Sequence, residues 1–503
     1  MRGQLAVALA AFSLLVAVLA FGLRPDAFFV GDPGVKLASS LNALSFPAHP
    51  LEIPLPAIGT DSAPHVENFF AVHGDHAHAV TSEFFPVLSA PMLALFGLRG
   101  LYILPALGLI ATAAACAWLA IVLDPRRNAA LVALAAGLGT PFLFYGLEYW
   151  EHTLALAAGV GGAAVLLNAA RLRPGRDART GAAFAGGLLM GAAIVLRPEA
   201  ACYFAAVVIA SRTLVHRPGW RTLAVATAGV CAALLPLEVY TIAHFGSFVP
   251  GHISANAGLT NQFWAAERLK LASDWLVPSL WGTGGPLRPG SFWSVAPVAV
   301  VGAVALAAHS ERKERLFLAL VALLTALLVL LTAPNDGGGQ WGPRYLLFAY
   351  APLAVLAADA VPESPRRAAS VLLIVLVVAA CGWSQRASYR QLRGTKATYG
   401  RVVDFVRQAV HPGGSAVTDL WWLDQVAAST VDRHTFLFAG DAQTGPDIVR
   451  RLSDARVPEV TLFRSHELSA DLDGWTTGSC YTEAGRDELD VRGLVAIRLQ
   501  LHC

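Results

Sequence analysis

Asp32 and Lys36 stand four residues apart in Phe28-Phe29-Val30-Gly31-Asp32-Pro33-Gly34-Val35-Lys36, a spacing that puts a carboxylate and an amine on one face of a helix. Asp before Pro is also a common helix start. Asp32 is therefore either a cap or, in a partly desolvated setting, a general base or a metal-side carboxylate. Further along, Ala71-Val72-His73-Gly74-Asp75-His76-Ala77-His78 is followed by Ser82-Glu83. On a strand His76 and His78 would point the same way, and Asp75 or His73 could complete a divalent-cation site. The competing reading is a set of solvated or hydrogen-bonded histidines.

Leu147-Glu148-Tyr149-Trp150-Glu151-His152 packs two acids and a histidine into a short turn between apolar runs. Aromatic belts account for Tyr149 and Trp150. They do not account for the charge, because ionisable groups this near hydrocarbon are costly unless paired or facing water. Glu148, Glu151 and His152 are thus candidates for positioning an acceptor or a metal. The same argument applies to Arg197 and Glu199 in Leu196-Arg197-Pro198-Glu199, with mutual pairing as the structural alternative, and to Glu238. The richest segment is Asp336-Gly337-Gly338-Gly339-Gln340-Trp341-Gly342-Pro343-Arg344-Tyr345. Its glycines let backbone approach a ligand, Trp341 offers a stacking face, and Arg344 can grip a phosphate with two prongs. Snorkelling is the alternative for Arg344.

The elements that must carry these groups are membrane helices. Of 503 residues, 55% are hydrophobic and 14% charged, and the mean hydropathy is +0.54, which excludes an ordinary soluble enzyme. A net charge of +2 gives no basic field for nucleic acid. Crossing roughly 30 Å of hydrocarbon takes about 20 apolar residues. Eleven stretches meet or approach that length, near 4–22, 101–123, 129–146, 153–170, 181–196, 199–214, 222–243, 293–308, 316–333, 345–361 and 368–383. The first is expected to be a retained helix, since no small-residue cleavage site precedes the polar region. Alternate loops hold fifteen Lys and Arg, whereas the opposite short loops, 147–152 and 334–344, hold only Arg344. Positive loops stay inside, so the amino terminus is expected inside. The first loop, 23–84, and everything after 384 are then expected outside.

The chain is thus expected to be an α-helical polytopic membrane protein with about 11 spans over 1–384 and a small extracytoplasmic α/β domain over 385–503. In the tail, helical patterns at 398–410 and 444–456 alternate with strand patterns at 415–421, 434–439, 458–463 and 493–501, which predicts a mainly parallel sheet. An amphipathic stretch at 261–276 suits the membrane surface. Cys480 and Cys503 are the two cysteines placed to form a bridge, provided their segment faces an oxidising compartment.

Gly31-Asp32 after the first span, Arg197-Pro198-Glu199 at the end of a middle one, and Gly-Gly-x-x-Trp-Gly-Pro-Arg-Tyr-Leu at 338–347 resemble the GT-C superfamily of polytopic glycosyltransferases. The likeness is to the bacterial branch related to protein O-mannosyltransferases and lipid A aminoarabinose transferases. The resemblance implies transfer of a sugar, with inversion, from a polyprenyl-phosphate carrier to a lipid, glycan or protein acceptor outside a bacterial plasma membrane. It places the catalytic acid on Asp32. The family's usual paired acid falls on Pro33, which leaves Glu83, Glu148 and Glu151 as contenders for a second carboxylate. Arg344 and Arg197 suit the leaving phosphate. A transporter or lipid flippase is the main rival; it would need charges near the midplane, where Glu238 stands alone. A membrane scaffold whose tail binds a partner is the other.

Overall fold

The computed structural model describes residues 2–56, 58, 65–66, 69–171, 176–249, 265–277, 290–308, 312–335, 337, 340–360, 368–431, 435–441, 443–466 and 472–503. It comprises two compact units. The first is built from Met1–Gly22, Tyr102–Pro250 and Asn256–Gln391, the second from Leu23–Leu101, Gly251–Ala255 and Leu392–Cys503. The linear division at residue 384 follows sequence character; by contacts, residues 23–101 group with the C-terminal segment.

The first unit is helical. Six helices among the described residues are long and apolar enough to cross a membrane: Gly3–Phe21, Phe84–Leu123, His152–Arg171, Arg179–Leu196, Trp220–Phe245 and Lys313–Thr332. The second of these starts in the other unit and enters this one at Tyr102. Shorter apolar helices occupy Ala129–Gly139, Ala200–Thr213, Pro297–Leu306 and Arg344–Ala358. The expected span at 129–146 is broken because Pro141 cannot continue the helix. Thr140 recaps the break: its Oγ1 donates to the Ala136 carbonyl and accepts the Phe142 N–H at 3.2 Å. Val7, Leu14, Val18 and Phe21 lie exposed along the first helix, an arrangement that suits lipid rather than water. Two arginines read as loop charges are in fact buried. Arg127 grips Asp359 with two bonds of 2.9 and 2.8 Å, and Arg315 meets the same carboxylate at 3.1 Å, tying three helix ends together.

The second unit holds two sheets. Strands β1 (Ile53–Pro54), β2 (Phe70–His73) and β3 (His76–Ala79) form a small antiparallel sheet in the order β1-β3-β2. Strands β4 (Ser415–Thr418), β5 (Thr435–Phe438), β6 (Glu459–Ser465), β7 (Tyr481–Leu489) and β8 (Leu494–Leu501) form a five-stranded sheet in the order β5-β4-β6-β8-β7. β4 runs parallel to β5 and β6, whereas β6–β8 and β8–β7 are antiparallel. The sheet is therefore mixed rather than mainly parallel. Alternate residues serve two cores. Ala416, Phe463, Leu494 and Ala496 face Val402, Val406 and Leu423; Val417, Leu462, Val495 and Ile497 face Ile448, Leu452 and Trp475. β7 was not anticipated because it is an edge strand with Glu483, Arg486, Asp487 and Glu488 along it, the polar edge that discourages pairing with other chains.

The loop read at 23–84 contains the helix Asp32–Ser45, which packs on Phe84–Phe96 through a bond of 2.9 Å from Ser40 Oγ to the Pro86 carbonyl. The chain entering this helix is clamped by an ionic ring. Arg24 meets Asp26 at 2.7 Å and Asp404 at 2.6 Å, and Arg407 meets Asp26 at 2.8 Å. Burial works against the Asp26 carboxylate, yet the bonds from Arg24 and Arg407 outweigh it and hold its pKa below the ordinary value. Buried Lys396 adds a bond of 2.7 Å to the Ala27 carbonyl.

Cys480 and Cys503 are bridged, with Cα atoms 5.6 Å apart. The bridge closes a loop of 23 residues, for which chain entropy predicts a contribution of about 3 kcal/mol. Cys480→Ser is expected to lower the unfolding free energy of the second unit by that amount, read from denaturant midpoints. Adding reductant to the wild type should reproduce the loss and leave the variant unchanged.

Candidate functional site

In the first unit Arg344 and Arg197, the latter with Glu151 and Glu199, come together at Tyr345. The segment Asn335–Arg344 leads from the helix Lys313–Thr332 into the single turn Arg344–Leu346. Gly337 adopts φ +86, and a Cβ there would press on Arg344 Cγ at 3.0 Å, so this position needs glycine on both counts. Asn335 Oδ1 accepts the Gly337 N–H at 2.9 Å and the Tyr345 hydroxyl at 3.1 Å. Arg344 Nη2 donates to the same hydroxyl at 3.3 Å, and its guanidinium stands 5.1 Å from the Tyr345 ring. Arg197 lies 5.7 Å from that ring. The two arginines nominated for phosphate, 147 residues apart in sequence, thus share one aromatic platform. Asp336, Gly338 and Gly339 lie outside the described residues.

Arg197 also meets Glu199 at 2.8 Å and Glu151 at 3.2 Å. The pairing with Glu199 weighed at the sequence level is therefore present, joined by Glu151. Burial opposes the Arg197 charge, but Glu199 and Glu151 more than offset it and raise its pKa. Glu148, Glu151 and His152 are all buried. Glu148 Oε1 accepts the Tyr149 N–H at 3.0 Å, and Glu148 C=O accepts the Trp150 N–H at 2.8 Å, which shapes the turn. The His152 ring packs 4.9 Å from Tyr145 and 5.5 Å from Trp150. The Tyr145 hydroxyl donates to the Trp341 carbonyl at 3.2 Å. Sequence reasoning missed Tyr345, Asn335 and Tyr145, although Tyr345 directly follows Arg344. The amphipathic stretch read at 261–276 is helical over Ala265–Leu276, with 261–264 outside the described residues, but the sequence does not show that its buried Trp275 packs 6.2 Å from the Tyr345 ring.

Asp32, Lys36, Glu83 and the histidines belong to the second unit. The helix N-cap falls on Gly31 without a side-chain cap bond, so Asp32 is not the capping residue; it sits in the first turn, with buried Lys36 one turn later. Gly31 and Gly34 flank Asp32-Pro33 because Gln425 presses on both: a Cβ at Gly31 would overlap Gln425 Oε1, and one at Gly34 would overlap the Gln425 carbonyl. A side-chain amide can swing away; backbone cannot. Gly34→Ala is therefore expected to destabilise the second unit by about 1–3 kcal/mol, and Gly31→Ala by less. Urea midpoints of the two variants check this ordering.

Glu83 occupies the N-cap of Phe84–Phe96, again without a side-chain cap bond. His73 and His76 are paired across the hairpin, which turns at Gly74, and His78 is paired with Ala71. Asp75 contacts His76 at 2.7 Å. Among the described residues no three His, Cys, Asp or Glu converge as a metal-ligand set. This hairpin does not assemble the divalent-cation site that its spacing allowed.

No protein-family model matches the chain, and no curated protein matches its sequence. Solved structures do match. ArnT from Cupriavidus metallidurans in the apo state superposes with a TM-score of 0.62 at 14% identity, covering 97% of both chains. The same protein bound to undecaprenyl phosphate gives 0.60 at 15% identity with the same coverage. The Archaeoglobus fulgidus oligosaccharyltransferase AglB, in complex with an inhibitory peptide and a dolichol-phosphate, gives 0.53 at 12% identity, covering 94% of this chain and 71% of AglB. The chain is an integral membrane protein with the GT-C fold that ArnT and AglB share.

Proposed function

We propose that the protein is an inverting glycosyltransferase that moves a sugar from a polyprenyl-phosphate donor to an acceptor outside a bacterial plasma membrane. The observation that carries this reading is the pair Arg197 and Arg344 on one tyrosine, in a fold shared with proteins solved holding undecaprenyl phosphate and dolichol-phosphate. The six long apolar helices, the four shorter ones and the apolar first part of Ala368–Ala409 support a count of about 11 spans. The excess of Lys and Arg in alternate loops supports an inside amino terminus and an extracytoplasmic C-terminal domain.

Roles follow from chemistry. The acceptor hydroxyl gives its proton to the Asp32 carboxylate as its oxygen bonds to the anomeric carbon. The bond from that carbon to the phosphate oxygen breaks, and the electron pair leaves with the lipid phosphate. No covalent sugar intermediate is required. Arg344, held by the Tyr345 hydroxyl that Asn335 in turn fixes, takes the developing phosphate charge. Arg197, compensated by two carboxylates, supports the same platform and braces the Glu151 turn. Glu148, Glu151 and His152 position the acceptor, with Trp341 beside them through Tyr145.

The test is incubation of the purified protein with a panel of radiolabelled polyprenyl-phosphate sugars and a crude envelope acceptor fraction, with and without chelator. Release of polyprenyl phosphate with label in the acceptor is expected from at least one donor. Consumption of none overturns the reading in favour of a transporter or flippase.

A further inference from the structure

A cavity of about 550 Å³ opens within the second unit, apart from the residues given roles above. The helix Asp32–Ser45 contributes Ala38 and Leu41 to one wall, β2 contributes Phe70, and β5 contributes Phe436. These walls are mostly apolar, with Asn42, Ser45, His65, Gln425 and Thr435 adding polar atoms. Among the described lining residues the one carboxylate is Asp424, at the start of the short helix Leu423–Val426. No Lys or Arg is among the described lining residues. Asp424 lines the cavity, and its Oδ1 accepts the Gln425 N–H at 2.8 Å. Among the described residues it has no cationic partner.

We propose that this cavity binds a small organic ammonium ion, with Asp424 as its counter-ion and the apolar walls against the carbon skeleton. Size admits a molecule such as a monosaccharide or an amino acid. The charge of the described lining residues favours a cation over an anion. His65, the other titratable group among the described lining residues, has its pKa lowered by burial, with Asp447 opposing, so its surroundings disfavour the charged form. A phosphate or carboxylate entering here would meet Asp424 with no Lys or Arg among the described lining residues to offset it. An uncharged ligand gains no such pairing. Burial also pushes the Asp424 carboxyl up to about 7, against the Gln425 N–H that favours its charge; a bound ammonium stabilises the carboxylate in place of the water it has lost. The inference does not depend on the transferase reading, since it concerns residues to which that reading assigns no role.

Titration calorimetry on the full-length protein in detergent tests it, with glucosamine, glucose, glucose 1-phosphate and Nα-acetyl-lysine amide as probes. Glucosamine is expected to bind at least tenfold more tightly than glucose, and glucose 1-phosphate not to bind. Binding of glucosamine alone identifies a sugar as the ammonium's source. Binding of the lysine probe as well shows that the ammonium suffices. Asp424→Asn is expected to weaken the ammonium probes at least tenfold while raising the melting temperature at pH 8, because it removes a desolvated carboxylate. Ala38→Leu, which keeps the carboxylate but narrows the cavity, is expected to weaken them too. Equal binding of glucose and glucosamine, unchanged affinity in Asp424→Asn, or no binding of either ammonium probe overturns the proposal.

Discussion

Asp32→Asn is expected to lower sugar transfer by about 10²–10⁴-fold, the usual worth of a positioned general base. The amide keeps the size of the carboxylate but accepts no proton at neutral pH. Because the helix is capped at Gly31 without help from the Asp32 side chain, the substitution removes no cap, and the unfolding midpoint measured beside it separates a catalytic loss from a structural one. Affinity for polyprenyl phosphate, measured in a mixed-micelle binding assay, should be unchanged. The loss is therefore expected in kcat, with the product-binding constant as control. Full activity in the variant would remove Asp32 from the reaction, and a matching loss of stability would make its role structural.

Arg344→Ala is expected to cost roughly 10²–10³-fold in kcat/KM, as when a preorganised donor to a developing charge is deleted. It should also weaken polyprenyl-phosphate binding, which Asp32→Asn should not. Arg344→Lys separates charge from geometry. A lysine keeps the cation but loses the planar fork and the stacking on Tyr345, so about a tenth of the lost activity should return at most. Full recovery by lysine would make the site one of charge alone; no effect of either change would return Arg344 to a snorkelling side chain. Tyr345→Phe is the companion variant. It deletes the hydroxyl shared by Arg344 and Asn335 yet keeps the ring under both arginines, and a smaller loss is expected.

Much of this protein is written in local pattern. The long spans, the strands at 415, 435, 459 and 494, and the helix Thr444–Asp454 follow from the length and period of their apolar residues, because burial in lipid or against one sheet face acts on consecutive side chains. The segment around Arg344 stood out for the same kind of reason, a lone cation among glycines. Because the other four cysteines lie in apolar runs, the sequence leaves Cys480 and Cys503 as the candidate pair, and the structure decides that they are bridged.

What tertiary structure alone decided is which distant groups meet. Arg197 and Arg344 come to one tyrosine because the helices Arg176–Leu196 and Lys313–Thr332 end beside it, and nothing in either sequence segment names the other. The ring Arg24, Asp26, Asp404 and Arg407 links residues 380 positions apart; charge counting could only treat them as loop charges. The histidine hairpin shows the converse, since its spacing allowed a metal site that its strand pairing does not assemble. Periodicity reports the surface each residue must bury, whereas a site is made by the packing of elements far apart in the chain, and that depends on shape and contact rather than on any local run of residues.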